Sequence, residues 1–175
     1  MNVRLDPITP GTRPELAEQE ARIVAERGRV SPLYQVLLNS PPIAHGWEQM
    51  LSAVRNRNSV PADVRELVIL RVALLNRASY EFDAHAPLAL AAGASRQAID
   101  AMRTVPLAAD APLTREQHVA VRLADAMTRD LEVGDALYDE VRSAFGSAQT
   151  QLDLVATVAA YNMVSRLLIA LRIGH

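Results

Sequence analysis

Cysteine is absent from this chain of 175 residues, and so is lysine: all 18 basic residues are arginines. Without thiols there can be no disulfide, thiolate nucleophile, zinc–thiolate site or dithiol redox couple. Without an ε-amino group there is no Schiff-base chemistry. Aromatic residues are scarce, at 4%, so any core must be aliphatic and rich in alanine. A surplus of charge is missing as well: the formal net charge is −2. That leaves no basic field for nucleic acid and no cationic amphipathic helix for a membrane surface. The N-terminal MNVRLDPITPGTRPEL lacks the apolar core of a signal peptide, and a cytoplasmic protein is expected. Strand signals are missing too, with no alternating segment between hairpin turns. No repeat with a period of about 20–50 residues recurs.

Helical punctuation and helical spacing fill the rest. Half of the residues are hydrophobic, and the length suits one domain with a real core. Residues 1–14 hold three prolines and a glycine and read as an extended arm, ahead of a single domain over 15–175. Leu16, Ile23 and Val24 mark a helix from about Glu15 to Arg27, closed by Gly28. Ser31-Pro32 opens a short helix, Leu33 to Leu38. After Ser40-Pro41-Pro42, the residues Ile43, Trp47, Met50, Leu51 and Val54 keep helical spacing to about Arg55, with Trp47 read as core or interface. Ser95 caps a short helix to Arg103, and 104–113 form a loop. Thr114 and Gln117 match a capping box for a helix to about Arg129. Two more helices follow, Asp135 to Phe145 and Gln149 to Arg172. The expected class is all-α, a bundle of about eight helices. The run Leu152 to Ile173 is long enough to span a bilayer, but Asp153, Asn162, Arg166 and Arg172 are each costly in lipid, so it reads as a buried helix of a soluble protein.

The centre of the chain is Pro61 to Gly93, two apolar helices joined by the polar turn Asn76-Arg77-Ala78-Ser79. Apolar residues cover nearly the whole circumference of the first, which must therefore be buried. Yet it carries Glu66 and Arg71, and the second carries Glu81 and His85 one turn apart on one face. Ionisable groups inside an apolar hairpin must be paired, hydrogen-bonded or shifted in pKa. Glu66 is either a buried ion pair with Arg71 or Arg166, or a carboxylate poised for proton transfer. Glu81 is placed to hold the His85 ring. In an ideal hairpin Glu66 and His85 are offset by about 6 Å, a gap that suits a bridging water or a substrate. Pro87 removes a hydrogen bond to the carbonyl of Asp83 and reads as a tolerated kink. A metal held by Glu66, Glu81 and His85 lacks distinctive spacing, and none is expected. His45 and His118 are expected to face solvent.

The hairpin resembles the carboxymuconolactone decarboxylase and alkyl-hydroperoxidase-D-like (AhpD-like) family. Arg65-Glu66-Leu67, Tyr80-Glu81-Phe82, His85, Ala89 and Gly93 carry the resemblance, with Tyr161-Asn162-Met163-Val164-Ser165-Arg166 near the C-terminus. It extends from about Ser31 to the end. The peroxidase branch has a CxxC motif four residues before the His; here those positions are Ala78 and Glu81, so thiol peroxidase chemistry is impossible. The resemblance implies an all-α AhpD-like bundle built on the central hairpin, assembled as homotrimers or homohexamers, with a pocket near that hairpin. It leaves Glu66 and His85 as the acid–base pair of a cofactor-free lyase or isomerase acting on a small carboxylated or lactone-type substrate. Tyr80, Glu81, Asn162 and Arg166, with Tyr161, are the expected substrate-binding residues. Two very apolar helices in one small domain also point to a homo-oligomer. The rival expectation is a non-catalytic oligomeric binding or scaffold protein whose ionisable cluster only fixes helix register.

Overall fold

A computed structural model describes residues 3–174. Among them are nine α-helices and no strand: α1 (Ala17–Arg27), α2 (Pro32–Leu37), α3 (Pro41–Asn56), α4 (Ala62–Leu75), α5 (Ser79–Ala91), α6 (Arg96–Ala101), α7 (Arg115–Asp125), α8 (Asp135–Phe145) and α9 (Ala148–Leu171). A 3₁₀ turn, Pro14–Leu16, precedes α1, so the chain enters that helix later than its apolar spacing suggests. The chain divides into two compact units, one of residues 1–57 with 168–175 and one of 58–167.

In the first unit α1 and α2 both pack on α3. Trp47 belongs to this core, 7% exposed. Gly28 ends α1 at φ 77°, the left-handed conformation that a side chain disfavours. The N-terminal arm is tied down rather than loose. The Ile8 amide donates to the Gln35 carbonyl at 2.9 Å, and Arg4 reaches the carbonyls of Leu171 and Ala170 through its amide and guanidinium, each at 3.0 Å.

The second unit is built on α4, which packs against both α5 and α7. Every residue from Glu66 to Ala73 is buried. Each of Leu67, Ile69 and Leu70, wholly enclosed, contributes about 1.5–3 kcal/mol by leaving water. Arg71 is equally enclosed and is held by a fork of acceptors: the Asp125 carboxylate at the end of α7 takes two of its N–H groups, and the carbonyls of Met102 and Thr104 take two more at 2.9 and 2.7 Å. This arginine thus fixes α4 to α7 and to the segment after α6.

The turn from α4 to α5 closes through paired backbone bonds, Arg77 to the Leu74 carbonyl and Ala78 to the Ala73 carbonyl. Arg77 takes the left-handed position, φ 60°, where glycine is usual. The expected caps form at α6, where Ser95 accepts from the Ala98 amide at 3.0 Å, and at α7, where Thr114 and Gln117 make the reciprocal capping box. The α7 helix stops earlier than its sequence suggests, because Ala126–Asp130 widens into a π-helical turn before Leu131 reverses the chain at φ 65°. That turn offers the Thr128 hydroxyl to Asn162 on α9.

Candidate active site

Two elements supply the pair at the centre. Glu66 lies on α4 and His85 on α5, and the antiparallel hairpin brings the Glu66 Oε2 to 2.7 Å from the His85 Nδ1. The contact is direct, with no gap for a bridging water. The backbone offset expected from an ideal hairpin leaves out the reach of the two side chains, which closes it. An ionised carboxylate only accepts, so against one Nδ1 is the donor and Nε2 is the nitrogen turned the other way. On that side stands Tyr161 of α9, its hydroxyl 3.5 Å from Nε2 and its ring edge-on to the imidazole, with centroids 5.2 Å apart at 89°. Both members of the pair are shielded: Glu66 is 5% exposed and His85 8%.

Glu81 stands one turn before His85 on the same helix and is 3% exposed. It does not hold the ring as expected, because Glu66 already occupies Nδ1. Neither Glu81 carboxylate oxygen has a hydrogen-bond partner among the described residues. Burial pushes this carboxyl from 4.5 up to about 8, opposed only by the nearby Ser165 hydroxyl. That hydroxyl is too weakly engaged to keep Glu81 charged, since its proton goes to the Tyr161 carbonyl at 2.5 Å. A buried carboxyl without donors is neutral at ordinary pH.

The other expected site residues fall elsewhere. Asn162 is buried, but it is a joint: its carbonyl oxygen accepts from Asn76 at 3.0 Å and its amide donates to Thr128 at 2.9 Å and to the Val158 carbonyl at 3.1 Å. With its amide so committed, it has little left for a substrate. Arg166 is exposed and forms no ion pair among the described residues, so it neither neutralises Glu66 nor lines the buried cluster; the helix turn carries it to the outer side of α9. Tyr80 is half-buried at the start of α5. Arg71 does not pair with Glu66 either, being taken by Asp125. His45 faces solvent, whereas His118 is half-buried with its Nε2 enclosed and unpartnered; its position on the packed helix α7 overrides its polar neighbours. His175 lies outside the described residues.

Ser165 enters the sequence reading only within the resemblance, with no role of its own, and Asp125 does not enter it. Ser165 follows Tyr161 by one helical turn, a spacing that could have flagged it. Asp125 is 54 positions from Arg71, and no local pattern connects them. Among the described residues no group of three His, Asp or Glu side chains is arranged to hold a metal ion. The arrangement suits proton transfer: a carboxylate-oriented imidazole, a phenol at its other nitrogen, and a neutral carboxyl one turn away.

Residues 41–126 match the profile of the carboxymuconolactone decarboxylase family, a shorter stretch than the resemblance seen in the sequence. No curated protein matches the chain. Solved structures do. A peroxidase-related protein from Silicibacter sp. TM1040 superposes with a TM-score of 0.81 at 20% identity, over 98% of this chain and 90% of that one. A peroxidase-related AhpD core from Ralstonia eutropha JMP134 gives 0.80 at 16% identity, over 98% and 90%. The debrominase Bmp8 in complex with 2,3,4-tribromopyrrole gives 0.78 at 14% identity, over 99% and 91%. At such identities the likeness establishes an AhpD-like helical fold and carries no reaction.

Proposed function

We infer, for a chain whose residues 41–126 match the carboxymuconolactone decarboxylase family, that Glu66 and His85 transfer protons in a cofactor-free lyase or isomerase. Its substrate is a small carboxylated or lactone-type molecule, and its reaction resembles that of a carboxy-lyase. The observation that carries this reading is the direct 2.7 Å contact between Glu66 and the His85 Nδ1. It orients the imidazole, as a carboxylate does for a general-base histidine. Loss of carbon dioxide, or removal of a proton beside a carbonyl, leaves an enolate-like anion. An enclosed site with fixed donors stabilises such an anion better than water does. His85 then delivers the proton to carbon. Thiol peroxidase activity is excluded, because no cysteine is present.

The test uses purified protein and a panel of carboxylated lactones, carboxymuconolactone included. Glu66→Gln and His85→Ala are expected to lower turnover by about 100- to 10,000-fold while circular dichroism stays unchanged. Unchanged turnover in an intact His85→Ala protein refutes the assignment.

A second reading draws on the burial of both side chains. A sealed ion pair is what a non-catalytic oligomeric binding or scaffold protein would use to set helix register. Turnover of no panel member, together with a fall in stability in both variants, would favour it. In either case we propose a cytoplasmic homotrimer or homohexamer, with neither nucleic acid nor membrane as partner. The support is the row of exposed apolar side chains on α9, with Leu152 67% and Met163 40% exposed.

A further inference from the structure

We propose that Glu81 is the acid of this site: its neutral carboxyl donates a proton to the carbonyl oxygen of a carbonyl or lactone substrate while His85 exchanges a proton at the neighbouring carbon. This rests on the proton-transfer reading of Glu66 and His85. Three placements carry it. Glu81 and His85 are one turn apart on one buried face of α5, which sets their β-carbons about 5–6 Å apart. Glu81 is 3% exposed with both oxygens unpartnered, a state that a buried polar group adopts at a cost and that a ligand oxygen would relieve. His85 is bonded to Glu66 at one nitrogen and faces Tyr161 at the other. No arginine stands against the carboxyl to ionise it: Arg71 is held by Asp125, Arg103 lies over the Phe82 ring at 3.9 Å, and Arg166 is exposed. Burial therefore keeps its proton up to about pH 8.

The step balances. For isomerisation, the His85 Nε2 takes the proton from carbon, the C–H electrons form the enol double bond, and the carbonyl oxygen takes the Glu81 proton. Return of the imidazolium proton to another carbon, with the enol O–H proton going back to Glu81, completes it. For decarboxylation, the bond to the carboxylate breaks, carbon dioxide leaves, and its electron pair makes the same enol as the carbonyl oxygen takes the Glu81 proton; the imidazolium form of His85 then protonates the carbon, the enol O–H proton returns to Glu81, and solvent reprotonates His85. A protonated carboxyl so placed also selects the ligand. It favours an oxygen acceptor beside an acidic C–H or a carboxylate.

Two measurements test this, with a carboxylated unsaturated γ-lactone as probe. Infrared difference spectra of the ligand-free protein between about pH 7 and pH 10 should show the carbonyl stretch of a buried carboxylic acid, lost in Glu81→Gln. Deuterium wash-in to the probe's acidic carbon from heavy water should fall about 100- to 10,000-fold in Glu81→Gln, with KM little changed. The wild-type rate should decline above about pH 8. Glu81→Asp, which keeps an acid but shortens its reach, should retain a declining limb at a reduced rate. A wild type that exchanges nothing, or exchange that survives His85→Ala, overturns the underlying proton-transfer reading and this proposal with it. Exchange lost in His85→Ala but intact in Glu81→Gln, or no carboxylic-acid band at about pH 7, overturns the role of Glu81 alone.

Discussion

Glu81 and Arg71 show how differently one apolar hairpin treats two ionisable residues. Arg71 keeps its charge because Asp125 and two carbonyls meet its guanidinium. Removing one partner leaves a buried charge, so Asp125→Ala is expected to destabilise the fold by about 3–5 kcal/mol in urea denaturation. Glu81 has no such partners and gives up its charge instead. Its folded pKa, about 8, lies above the ordinary 4.5, so the folded state holds the proton where the unfolded chain has released it. Stability from this group is therefore greatest below about pH 4.5 and declines as pH rises to about 8, by up to about 1.4 kcal/mol per unit. Urea midpoints measured across that window should fall in the wild type, and the Glu81→Gln protein should lose this component of the slope.

At the scale of elements, polar joints add to apolar packing in positioning α4, α7 and α9. The Thr114 hydroxyl accepts from the Gln117 amide at 3.2 Å and closes the first turn of α7. Thr114→Ala should cost about 1 kcal/mol, read as a lowered melting temperature with an unchanged helical signal. Asn162 links α9 both to the end of α4 and to the π-helical turn. Truncating it to alanine strands the Asn76 amide and the Thr128 hydroxyl, at about 1–3 kcal/mol. Because Tyr161 is its neighbour, the same substitution should also loosen the phenol facing His85. Asn162→Ala is thus expected to lower turnover less than His85→Ala does, while lowering stability more.

For the whole molecule, α9 is the element that matters. Its 24 residues are long and apolar enough to cross a membrane by length and composition, and half of its most apolar window is buried within the fold. Its exposed apolar side chains, Leu152 and Met163 foremost, suit the proposed homo-oligomer. Sedimentation should give a trimer or hexamer, and Leu152→Glu combined with Met163→Glu should give a smaller species of the same helical content. A monomeric wild type would remove the oligomer from the account without touching the site.

Local chemistry was legible in the residues themselves. Helix starts at Ser95 and Thr114, the break after Gly28, the hairpin around Asn76 to Ser79, and the two unlikely carboxylates in an apolar setting all follow from side-chain spacing and backbone preference. Those forces act over a few residues, so the chain alone sets them. Which carboxylate meets His85 was decided in three dimensions. Both Glu66 and Glu81 were candidates, and only the packing of α4 on α5 put Glu66 against Nδ1 and left Glu81 with its proton. The partner of Arg71 and the outward placement of Arg166 were settled there too. The energy of an ion pair depends on distance and on burial, and residues far apart in sequence acquire both only when the helices pack.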